Sequence, residues 1–167
     1  LKKIFYSITD LFETTEKRFS QSTTIEDIEA IEERIQKYDN FCRRVISKSM
    51  KRNDAELLWN FLSLIIHAQR EIYTLNRILG KNKPANQITS LLKETKELFE
   101  LLKKAYIEKN PGLLSDIHSR EKELTYKKAY SLLKSSKGED VILIHHLASS
   151  INQIYLATSP LSSLILS

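Results

Sequence analysis

Apolar residues recur along this chain at intervals of three and four, in six blocks separated by polar or helix-breaking residues. That spacing keeps one face of an α-helix apolar, so the pattern predicts six helices and no sheet. The first runs from Lys2 to Phe19 on Ile4, Phe5, Ile8, Leu11, Phe12 and Phe19, and ends in the polar stretch Ser20 to Thr24. The second follows Thr24, with Asp27 three residues on in the manner of a capping box, and its seam reads Ile28, Ile31, Ile35, Tyr38, Cys42 and Val45. The third begins at Asn53 or Asp54 and is apolar nearly all round its first turns, from Leu57, Leu58 and Trp59 to Ile65 and Ile66. Gly80 suits a left-handed turn at its end. The fourth carries Ile88, Leu91, Leu92, Leu98, Leu101 and Leu102, and stops before Asn110-Pro111-Gly112. The fifth uses Leu114, Ile117, Leu124, Ala129, Leu132 and Leu133 up to Gly138, and the sixth starts at Glu139, with Pro160 expected to kink its last turns by removing a backbone donor.

The blocks repeat. Asp10-Leu11-Phe12-Glu13 through Phe19 returns 87 residues later as Glu97-Leu98-Phe99-Glu100 through Tyr106. At an offset of 86, Leu57, Phe61, Ile65, Leu75 and Ile78 recur as Leu143, Leu147, Ile151, Leu161 and Leu164. A packing pattern of three helices is therefore written twice, over residues 1–82 and 83–167. The third helix is apolar on several sides, and the sixth has no Asp, Glu, Lys or Arg from Val141 to Ser167. Neither is buried by a three-helix unit alone, so the two units are expected to pack through these inner helices about a pseudo-twofold axis.

Composition agrees. Three glycines and three prolines in 167 residues leave little for the turns of a sandwich or barrel. The single cysteine, Cys42, has no intrachain partner and fits a reducing compartment, its apolar register marking an inert core residue. The uncharged C-terminal stretch is interrupted by His145-His146, Asn152-Gln153 and paired serines, so no membrane span is expected, and Lys2-Lys3 lead into an amphipathic helix instead of a signal peptide. The chain opens at Leu1 instead of Met, so a start residue or an upstream segment is expected to be missing.

The net charge of +5 is spread over the first five helices, with its densest group, Arg43, Arg44, Lys48, Lys51 and Arg52, at the end of the second. These five are the candidate surface for an acidic partner or an anion. Arg43 and Arg44 are expected to be replaceable together without cost to the fold. The dispersal of the remaining cations argues against specific nucleic-acid recognition by these helices. Glu29 and Glu33, one turn apart, read as a solvated face, and His67 as a satisfied core group. No glycine-rich phosphate loop, HExxH or nucleophile elbow is present, and Glu-x-x-His does not occur in paired copies, so no enzyme activity is expected.

Two further stretches in each unit carry a family resemblance. Ile35-Gln36-Lys37-Tyr38-Asp39 and Glu121-Lys122-Glu123-Leu124-Thr125 each keep half of an acid-x-x-x-Asp pair; Gln69-Arg70-Glu71-Ile72-Tyr73-Thr74 and Ser149 to Ile154 occupy the place of a Glu-Arg-Ile-small-Asp-His stretch, keeping Arg70 and Ile151. With the duplicated three-helix unit, the chain resembles the PhoU phosphate-uptake regulators. The resemblance implies two homologous three-helix bundles side by side, control of phosphate uptake through a phosphate transporter or sensor kinase, a homodimer, and a cytoplasmic place at or near the inner membrane. It also implies divalent or iron cations. Asp39 and Glu121 are the acids that survive for them, and the halved pairs make a retained fold with lost metal the expectation, since such a site needs several converging carboxylates; by spacing alone, His118 three residues before Glu121, with His145-His146 on the sixth helix, is a further candidate ligand set. Two other classes stay open: the effector or dimerisation domain of a longer transcription or ion-channel regulator, and a carboxylate-metal enzyme in a helical bundle.

Overall fold

The computed structural model describes residues 1–49, 52–80 and 83–166, with the side chains of 49, 52 and 53 excepted. All regular elements among them are helical: α1 (Lys2–Phe19), α2 (Ile25–Ser49), α3 (Arg52–Ile78), α4 (Asn86–Glu108), α5 (Gly112–Lys122), a π-helical segment (Glu123–Ala129), α6 (Tyr130–Ser135), α7 (Glu139–Leu156) and α8 (Thr158–Leu166). The fifth predicted helix is thus one rod of α5, π segment and α6, and the sixth is α7 followed by α8. The interruption falls at Ala157. Pro160 cannot donate to the carbonyl of Leu156, so the chain restarts with the Leu161 amide on Ala157 at 3.2 Å.

Local chemistry fixes the ends. Asp27 accepts from the Thr24 amide at 3.2 Å and from the Thr23 hydroxyl, and the Thr23 bond in particular holds its carboxyl below the usual carboxylate range. A side-chain bond from Thr24 lowers Glu26 in the same way. Gly80 does not take the left-handed turn expected of it; its amide donates to the Glu139 carboxylate, which ties the end of α3 to the start of α7. Among the described residues the left-handed positions are Lys109, at the end of α4, Gln21 and Gly138.

Packing joins α1, α2 and α3 to one another, and α4, the α5–π–α6 rod and α7 to one another. The most extensive pairing runs between these sets, α3 against α7 and on to α8. It is antiparallel: Ser150 Oγ donates to the Ala68 carbonyl at 3.0 Å, and His146 Nδ1 lies 2.7 Å from Glu71 Oε2. The second junction is α1 against α4, also antiparallel, and its polar contacts come in matched pairs. Thr9 bonds Glu100 and lies 3.2 Å from Lys103 Nζ. Their 87-residue counterparts are Lys96 with Glu13 at 3.1 Å and Lys96 with Glu16 at 3.6 Å. Between them Phe12 packs on Phe99, its own counterpart, at a ring-centroid distance of 5.7 Å.

One continuous core results. Phe5 lies within 5.3 to 6.1 Å of the rings of Tyr106, Phe99 and Phe61, and Tyr106 stacks on Phe61 at 5.6 Å, so α1, α3 and α4 share an aromatic cluster. Each such pair contributes about 1 kcal/mol beyond the area it buries. Within the first set, Asn76 Nδ2 donates to Thr15 Oγ1 and to the Ile72 carbonyl, both at 2.8 Å, which ties α3 to α1.

Several expectations shift. The seam of α2 passes through buried Asp39 and continues to Ile46, leaving Val45 exposed and Tyr38 and Cys42 half-buried. On α3, Trp59 and His67 are exposed, so this helix is not apolar all round and His67 is not a core group. Burial raises the Tyr106 phenol above its ordinary value, with a smaller push from Cys42. An alkaline absorbance titration should therefore contain a late phase that belongs to Tyr106. Tyr106→Phe should remove that late phase; a titration identical in the two proteins would contradict the burial assigned to Tyr106.

Candidate functional site

The candidate residues fall into two regions. In the first, α2 and α3 run side by side and place Asp39 in the seam at 5% exposure. One turn on, Arg43 Nε donates to Asp39 Oδ1 at 2.9 Å and Nη1 to Ser63 Oγ at 3.2 Å. The guanidinium lies over the Trp59 ring, 4.6 Å from its centroid. A carboxylate buried in an apolar seam is costly unless paired. Asp39 is thus compensated by Arg43, and the tryptophan shields the pair from water on its outer side.

This corrects the reading of Arg43 as a free surface cation. Arg43 is committed to the interior. Arg44 and Lys48 are exposed and have no ion-pair partner among the described residues. Lys51 lies outside the described residues, as does the side chain of Arg52. Beside Arg44 and Lys48 on the outer face of α2 stand two apolar side chains one turn apart, Phe41 at 64% exposure and Val45 at 42%. Cys42 sits between this face and the core, with the Leu1 amine 3.6 Å from its sulfur.

In the second region, His118 stacks on Tyr155 with ring centroids 5.2 Å apart, and Glu121, a turn further, is buried. Asp39 belongs to the first set of helices, whereas His118 and Glu121 belong to the second. Among the described residues no three His, Cys, Asp or Glu side chains converge as metal ligands would, so these candidates are not brought together. His145 and His146 contact edge to face at 5.4 Å, and His146 is engaged by Glu71. Glu29 pairs with Arg77 at 2.8 Å and Glu33 with Lys37 at 3.1 Å, the solvated face expected of them.

The π segment carries a signal that hydrophobic spacing misses. Ile117, Glu121, Thr125 and Ala129 are all buried at successive intervals of four. In an α-helix each such step overshoots a full turn by about 40°. The π turn is closed by i→i+5 bonds such as that from the Tyr130 amide to the Thr125 carbonyl, and it brings these positions into line. The same widening aligns an exposed stripe of Lys122, Tyr126, Tyr130 and Lys134, about a quarter turn round the rod from the buried line. Polar residues at two of the four buried positions hide the pattern from an apolar reading.

No family model matches the chain, and no curated protein and no solved structure matches it either. No helix among the described residues is long and apolar enough to cross a membrane.

Replacing Arg43 and replacing Arg44 should have opposite consequences. Arg43→Ala leaves Asp39 buried and unpaired and should cost on the order of 3 kcal/mol in urea unfolding. Arg44→Ala touches no such partner and should stay within about 0.5 kcal/mol of the parent. Equal effects of the two would contradict the assignment.

Proposed function

We propose that the chain is a non-enzymatic regulatory module that acts by binding partner proteins, and that its setting is the control of phosphate uptake, as in the PhoU regulators it resembles. We further read residues 1–82 and 83–167 as duplicated three-helix units related by a pseudo-twofold axis. The matched contacts of Thr9 and Lys96 across α1 and α4, with Phe12 facing its own counterpart Phe99, support that duplication. A twofold axis between two antiparallel helices places equivalent residues opposite one another. The duplication supports the family resemblance in its overall plan; the phosphate setting rests on the residues quoted for that resemblance.

The observation that carries the binding function is the outer face of α2. Phe41 and Val45 are exposed together, with Arg44 and Lys48 beside them and without carboxylate partners among the described residues. Aromatic and aliphatic side chains at the centre of a patch, with cations at its edge, suit a protein partner of acidic character. A transporter subunit or sensor kinase contacted through this face is the partner class proposed, and the module is proposed to work as a homodimer.

The test is phosphate uptake in the source cell, with and without the chain, together with co-purification of phosphate-transporter subunits. Loss of the chain should change uptake, and Arg44→Glu with Lys48→Glu should abolish co-purification while leaving the far-UV circular dichroism unchanged. Unaltered uptake on removal of the chain would refute the phosphate setting. Co-purification that survives both charge reversals would refute the α2 face.

A further inference from the structure

We propose that the outer face of the α5–π–α6 rod binds single-stranded nucleic acid without sequence preference, a property separate from the regulatory reading above. In sequence the cations look dispersed. The π segment gathers some of them: Lys122, Tyr126, Tyr130 and Lys134 form one exposed stripe, with exposed Lys127 beside it. None of the three lysines has an ion-pair partner among the described residues; of the carboxylates around the rod, Glu97 is held by Arg120 at 2.6 Å and Glu94 by Lys128. The Glu94 bond holds the Lys128 ammonium above its ordinary value, whereas Lys127 makes no ion pair among the described residues. Glu123 flanks the stripe and is its nearest acidic residue in sequence on the exposed side.

Tyr126 and Tyr130 are 63% and 45% exposed, and their rings meet edge to face at 5.5 Å. Two aromatic faces held at an angle, between cations, offer bases a stacking platform while phosphates meet the ammonium groups. On one flank a groove of about 270 Å³ runs between α4 and the rod, where the paired Glu94 and Lys128 line it together with Gln87, Ser90, Lys127 and Ser131, the last four adding hydrogen-bond donors for phosphate or sugar oxygens. The stripe from Lys122 to Lys134 spans about 18 Å, room for roughly four nucleotides. An anionic bilayer fits this face less well: the exposed large apolar residues of the rod are these two tyrosines, with no exposed Leu, Ile or Val to enter the acyl region.

Fluorescence anisotropy with a short labelled oligo(dT), titrated with the whole chain at several salt concentrations, tests the proposal. Three lysine–phosphate contacts predict a log-log salt slope of about −2. Tyr126→Ala with Tyr130→Ala should weaken binding roughly tenfold with the slope unchanged, the loss of about one base stack. Lys122→Gln, Lys127→Gln and Lys134→Gln together should flatten the slope, whereas Arg44→Gln with Lys48→Gln should alter neither quantity. All these side chains are exposed, so circular dichroism should be the same throughout. Absence of binding at low salt overturns the proposal. So does binding indifferent to the tyrosines, which is polyelectrolyte attraction alone, or binding abolished by the α2 variant. Vesicles containing phosphatidylglycerol form the last arm: capture by them through this stripe, with no oligo(dT) binding, would assign the face to a bilayer and reject the nucleic-acid reading.

Discussion

The antiparallel crossing of α1 and α4 is the constraint on which the rest of the molecule depends. Phe5, Phe12, Phe61, Phe99 and Tyr106 meet there, drawn from three helices, and no polar group interrupts the contact between Phe12 and Phe99. Burial of such rings is the strongest favourable term available to a chain with one cysteine. The crossing joins the first three helices to the last ones alongside the more extensive pairing of α3 with α7. The ion pairs at the rim, Lys96 with Glu13 and Glu16, are partly exposed and orient the crossing more than they stabilise it.

From this core the outer helices gain their freedom. α2 and the α5–π–α6 rod lie against the core on one side, so their other sides face solvent. On α2 the separation is not clean, because Asp39 enters the seam and draws Arg43 inward after it, with Trp59 as a lid over the pair. The exposed cations without an ion pair among the described residues of that helix are therefore its neighbours, Arg44 and Lys48. On the rod the division is carried by the π turn, which keeps one line of every-fourth residues buried and another exposed.

Much of this was legible in the sequence. Six helical blocks, the limits of α1, the break ahead of Pro160 and the apolar pairing of the third and sixth helices all follow from three-and-four spacing and a few breaking residues. What escaped was carried by polar residues in buried places. Reading α2 by apolar identity selected Tyr38 and Val45, while the chain itself uses Asp39 and Ile46, since a paired carboxylate can occupy a seam position that no hydropathy pattern reveals. Glu121 and Thr125 hid the π segment for the same reason. The Arg43 pairing could have been suspected from the i,i+4 spacing of Asp39 and Arg43, but Ser63 and Trp59 reach it only through the tertiary fold.

The account stands on the two sets of helices sharing one cooperative core, and the sole tryptophan, Trp59, reports on the first set alone. The decisive measurement is equilibrium unfolding of Phe99→Ala, followed by Trp59 fluorescence and by far-UV circular dichroism. Removing this ring from α4 should lower the stability read at Trp59 by about 3 to 5 kcal/mol, with both signals moving as one transition. A Trp59 transition left where it is in the parent protein, while the circular dichroism splits into two steps, would show that the halves fold apart and that the crossing does not bind them.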